Sequence, residues 1–113
     1  LMYILSDTLI HTGNPAETKA SHSHSFDTGA AWAHLALQAA HMGLHAHGMT
    51  GVDCDAARTA LNVPDRFRME AAVAVGHIAD PSTLPEGLRA KEVPSGRNPV
   101  AEFAFAGTFP ADG

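Results

Sequence analysis

Eight histidines, a single cysteine and a handful of hydroxyl and carboxylate groups carry the chemical potential of this 113-residue chain. His41 and His45 stand four apart with His47 just beyond, and His22 and His24 form a second group. Two histidines at i and i+4 on one helix face can hold zinc. Here Gly43 lies between them and is expected to end the helix, which breaks the shared face. No cysteine or carboxylate stands close by to complete a tetrahedral set, so no native metal site is expected. Cys54 sits at an expected helix N-terminus, a place that lowers a thiol pKa, but Asp53 and Asp55 flank it and repel a thiolate. Ser25, His24 and Asp27 are neighbours in sequence, which says nothing about a triad, and no nucleophile elbow is present. No catalytic side chain is therefore named.

Two short segments are better suited to binding. Gly48-Met49-Thr50-Gly51 leads into a helix capped by Asp53, so backbone N–H groups are presented where a flat or anionic ligand could approach. Pro94-Ser95-Gly96-Arg97-Asn98-Pro99 holds one arginine in a Pro/Gly frame, and a guanidinium suits two-pronged phosphate binding.

These segments need elements to position them. Residues 1–5 are apolar on both faces and read as a central strand entered in mid-fold, and a start without an initiator methionine points the same way. Residues 7–25, with Gly13, Asn14 and Pro15, read as a long loop. Asp27 offers an N-cap to an Ala- and Leu-rich helix over residues 30–42, stopped by Gly43, with Trp32 as core or interface packing. Residues 44–50 are a strand or extended turn, and a second helix runs from the Asp53 cap to about Asn62, ended by Pro64. Residues 69–79 lean to strand, residues 80–97 to a long loop. Over residues 100–109, Phe103, Phe105 and Phe109 fall on one face at period two, which predicts a strand. Strands and helices mix without a strict βαβ rhythm, so the class is α+β.

Composition bounds the partners. Lys and Arg number 7 against 12 Asp and Glu, a formal net charge of −5, so no basic face is available for nucleic acid. One cysteine allows no internal disulfide, and no secretory signal is visible, so the chain is expected to be cytoplasmic. Residues 28–52 contain no Asp, Glu, Lys or Arg, yet four histidines, Gln38, Gly43, Gly48 and Gly51 interrupt them, which excludes a membrane span. A helix without charge is buried all round, and a chain this small has little interior for it. The uncharged helix and the aromatic tail strand each call for a second subunit.

Taken in order, Asp27-x-Gly29-Ala30-Ala31, Leu35-x-Leu37-Gln38-Ala39, Gly43-Leu44, Met49-Thr50-Gly51-Val52-Asp53, Val73-Ala74-Val75-Gly76-His77 and Arg97-Asn98-Pro99-Val100 resemble the C-terminal half of the FMN-dependent nitroreductase family. The resemblance covers nearly the whole chain. It implies an α+β, antiparallel-sheet fold with packed helices, present here in part, with residues 1–113 forming the C-terminal portion of one domain. It also implies a homodimer with FMN at the subunit interface. Thr50 and Gly51, with Met49 before them, match the segment whose backbone faces the flavin ring. Arg97 matches the arginine that holds the FMN phosphate, and Ser95 stands where many relatives have lysine. The implied activity is hydride transfer from NAD(P)H through FMN to a nitroaromatic, quinone or similar acceptor. Two alternatives stand beside it: a truncated, non-catalytic dimerising remnant of such an enzyme, and a small His-rich metal-binding protein.

Overall fold

A computed structural model describes residues 1–14 and 16–110; Pro15, counted above in the first loop, lies outside the described residues. The chain divides into two compact units, Leu1–Ile78 and Ala79–Gly113. In the first unit, β1 (Met2–Asp7) is followed by a small hairpin of β2 (Leu9–Ile10) and β3 (Lys19–Ala20). Then come α1 (His24–His41), β4 (His45–Met49), α2 (Cys54–Leu61) and β5 (Phe67–Gly76). The class is α+β, as read from the sequence, and the expected loop over residues 7–25 in fact contains the hairpin and the first turn of α1.

β5 is the middle strand, antiparallel to β1 on one side and to β4 on the other. This corrects the placing of residues 1–5 at the centre of the sheet. β5 carries Met69, Ala72 and Val73, all buried, whereas Met2 and Leu5 of β1 stay exposed. A strand covered on both faces takes the middle, and β1 takes an edge. Ile4 pairs with Ala71 and Leu5 with Met69, so Glu70 is the extra residue of a β-bulge.

α1 packs on β1 and β4. It begins at His24 with Ser23 as N-cap, not near residue 30 with Asp27 as N-cap. Asp27 sits inside the first turn, where its charge complements the helix dipole and its Oδ2 accepts a hydrogen bond from Ser23 Oγ at 2.7 Å. The earlier start has a tertiary cause, because His24 and Ser25 are bonded to residues of β1 and β5 described below. The stop is as expected: Gly43 has φ +73°, its N–H donates to Ala40 O, and the Leu44 N–H donates to Ala39 O at 2.9 Å. The expectation of burial on all sides is not met within this chain. Only Ala39 of α1 is fully buried, and Phe26 (80% exposed), Ala30, Ala33, Leu37 (62%) and Ala40 form an open apolar stripe at helical spacing.

α2 follows its sequence signals. The Asp53 carboxylate accepts from the Ala56 N–H at 2.9 Å, and Asn62 closes the helix in the left-handed conformation. Arg58 then ties the exit down, donating to the carbonyls of Val63, Pro64 and Phe67. The stretch of residues 44–50 left open between strand and turn is the strand β4.

The second unit contains a 3₁₀ turn at Pro81–Thr83, the short helix α3 (Glu86–Arg89) and a 3₁₀ turn at Val100–Glu102. The strand expected over residues 100–109 is not formed. Pro99 sets φ −56° and opens the 3₁₀ turn, and a lone strand has no ladder to hold it. Instead of lining one face, Phe105 and Phe109 meet edge-to-face with centroids 5.2 Å apart. No described helix is long and apolar enough to cross a membrane.

Candidate functional site

Met49 is the last residue of β4 and pairs with Ala72 of the central strand. Thr50 and Gly51 follow outside the ladder, both exposed. The turn and loop hydrogen bonds of the described residues include none from the Thr50 or Gly51 N–H. A Cβ at Gly51 would meet nothing within 4 Å, so the backbone there is open to close approach. Two residues later the Asp53 cap fixes the chain again. The segment is therefore a short bridge, held at both ends, that exposes its backbone and has no side chain at Gly51.

Ser95 and Arg97 lie in the second unit and are brought together there. Arg97 Nη1 donates to Ser95 Oγ at 2.7 Å, to Ser95 O at 3.0 Å and to Gly96 O at 3.1 Å. Among the described residues, its Nε and Nη2 have no such partner, which leaves one edge of the exposed guanidinium for an oxyanion.

A polar cluster that sequence reasoning missed lies between β1, α1 and the β5 bulge. Ser6 Oγ donates to Glu70 Oε1 at 2.7 Å, and Ser25 Oγ donates to the same oxygen at 2.6 Å. His24 Nδ1 stands 2.9 Å from Ser6 Oγ. Both hydroxyl hydrogens are committed to Glu70, so Nδ1 has to carry a hydrogen and donate it to Ser6. Arg68 Nε adds a charge 3.5 Å from Glu70 Oε2. Burial alone would raise the Glu70 pKa, but the Ser25 and Ser6 hydrogen bonds, with the charges of Arg68 and His24, outweigh it and hold the carboxyl below its ordinary value. Glu70 is thus an ionised carboxylate pinning the start of α1 to the sheet. One signal for it was present: it is the one acidic residue of the mostly apolar strand β5.

Glu70 and Ser25 also border a recess of about 130 Å³ with Ile4, Thr28, Gly29, Trp32 and Ala71. The histidine pair resolves simply, since α1 ends at His41 and His45 opens β4. Among the described residues no three His, Cys, Asp or Glu side chains gather as a metal-binding group. Cys54 is a half-buried free thiol.

Comparison with known proteins shows the family. A family model described as the nitroreductase family matches residues 7–77. An uncharacterized 15.4 kDa protein in the ask 5' region of Mycolicibacterium smegmatis is 39% identical over 84 residues, which is 74% of this chain and 56% of that protein. A solved structure described as an oxidoreductase containing FMN matches with a TM-score of 0.88 and 46% identity, over 96% of this chain and 54% of the other. The chain spans about half the length of these relatives. With the model covering most of residues 1–78 and the fold superposing almost throughout, the chain belongs to the nitroreductase family.

Proposed function

We propose that the chain is the C-terminal portion of a single nitroreductase-like domain in an FMN-dependent oxidoreductase. The observation that carries the reading is the Thr50–Gly51 backbone, exposed and held between β4 and the Asp53 cap. The similarity to a structure described as containing FMN supports it. In this reading the N–H groups of residues 49–51 donate to the flavin ring, and Gly51 lets the ring approach the backbone. Arg97 offers the free edge of its guanidinium to the FMN phosphate, with Ser95 holding the other edge. When bound, the flavin would supply the redox chemistry, hydride transfer between NAD(P)H and a nitroaromatic, quinone or similar small acceptor. The chain's own part is to bind and orient, and no side chain is assigned a proton-transfer role. The open apolar stripe of α1 is read as the interface of a homodimer.

Arg97 gives the test for the binding groups. Charge-assisted hydrogen bonds contribute about 1.5–3 kcal/mol each. Arg97→Ala is therefore expected to weaken FMN binding about tenfold or more, whereas Arg89→Ala, in α3 of the same unit, leaves it unchanged. Titration of each variant with FMN, followed by flavin fluorescence, measures both. Equal affinity for Arg97→Ala and the parent would make Arg97 a solvated loop residue.

A further inference from the structure

We propose that Trp32 is the positioning residue for the flavin-facing segment, setting through Gly48 the depth at which β4 presents Met49, Thr50 and Gly51. The inference rests on the flavin reading of residues 49–51. β4 pairs with β5 along one side only, so its position is also set by what packs on its face. That element is α1, and its Trp32 lies against Gly48. A Cβ placed on Gly48 would stand 3.2 Å from Trp32 Cζ2, 3.5 Å from Cε2 and 3.8 Å from Cη2. The indole therefore lies against bare backbone one residue before Met49.

Glycine inside a strand weakens it, and its presence marks a place where something approaches closely. Here that neighbour is a stiff double ring with two side-chain torsions, unlike a flexible side chain whose end could swing away. Within the sheet Gly48 is paired with Val73 of the central strand, which is fully buried, so the ladder anchors the strand at this point. Gly48, itself exposed, is thus held by its ladder partner along one edge and met by the Trp32 indole on one face. The two residues that follow Met49 inherit its position, because the next fixed point is the Asp53 cap.

The test uses the chain's one tryptophan as its own reporter. Flavin absorbs where tryptophan emits, so FMN bound against residues 49–51 is expected to quench Trp32 emission, saturating together with the flavin signal. Gly48→Ala forces the indole and the strand apart by a few tenths of an ångström. Small misplacements of a binding group are costly, and FMN affinity is expected to fall about tenfold. Trp32→Phe removes the ring atoms that a Cβ at position 48 would meet, so the double variant Gly48→Ala/Trp32→Phe is expected to recover most of the lost affinity. Thermal melts run alongside show whether each variant is folded. A folded Gly48→Ala protein that binds FMN as the parent does would overturn the positioning role, as would a double variant with no recovery. A parent that neither binds FMN nor shows quenching overturns the flavin reading itself, and is told apart because the parent, rather than the variant, fails.

Discussion

Replacing Glu70 with alanine is expected to destabilise the chain by roughly 2–4 kcal/mol, because it removes the common acceptor of a half-buried network. The Ser6 and Ser25 hydroxyls would lose the oxygen they share, and Ser6 is only 2% exposed. His24 would lose its nearest negative charge, and the start of α1 its tie to the bulge of β5. Glu70→Gln keeps an acceptor oxygen and is expected to cost less, so the two variants separate hydrogen bonding from charge. The pH dependence follows from the same contacts. A carboxyl held below its ordinary value of 4.5 in the folded state contributes stability that is fully present above that value. That contribution is lost as pH falls through the lower, folded-state pKa. The parent should therefore lose stability on acidification below 4.5, and Glu70→Gln should lose less over the same range. Urea unfolding at several pH values measures both effects. Identical midpoints for the parent and Glu70→Ala would show the cluster to be energetically neutral.

The second large effect is expected at Leu37. It is 62% exposed within the chain and lies on the stripe with Phe26, Ala30, Ala33 and Ala40. If that stripe is covered by a second subunit, Leu37→Glu places an unpaired carboxylate in the interface at a cost of roughly 3–5 kcal/mol. By the usual conversion that weakens association about 10²-fold or more. The isolated chain has little to lose, because position 37 faces away from its own sheet. Light scattering should find the parent dimeric and Leu37→Glu monomeric, with the helical circular dichroism signal retained in both. A well-folded parent that scatters as a monomer would refute the interface.

Local signals in the sequence translated well into structure. Asp53 caps α2, Asn62 and Pro64 end it, and Gly43 closes α1 in the left-handed conformation, each from interactions within a few residues. The apolar run after Met69 was legible as a strand from its composition, although the ladders that hold it, to β1 and β4, are distant in sequence. What the sequence did not reveal depends on distant partners. The start of α1 is set by bonds from His24 and Ser25 to residues 18 and 45 positions away, so the capping pattern at Asp27 pointed to the wrong turn. The period-two phenylalanines between residues 100 and 109 matched a strand, but a strand needs a neighbour and Pro99 starts a 3₁₀ turn instead. Met49, Thr50 and Gly51 could be singled out as a candidate segment because they are contiguous. The Glu70 cluster was not, because four residues of three elements meet only in the folded chain. The contact between Trp32 and Gly48 was equally hidden, since nothing in either residue's neighbourhood pairs them.

The flavin assignment is tested most directly by mixing the purified protein with FMN, removing free ligand by gel filtration, and recording the absorption spectrum. The expected result is a yellow protein whose visible flavin bands elute with it and are reduced on adding NAD(P)H. A colourless protein, with all the FMN recovered in the small-molecule fraction, would contradict the assignment of residues 49–51 as a flavin-binding segment.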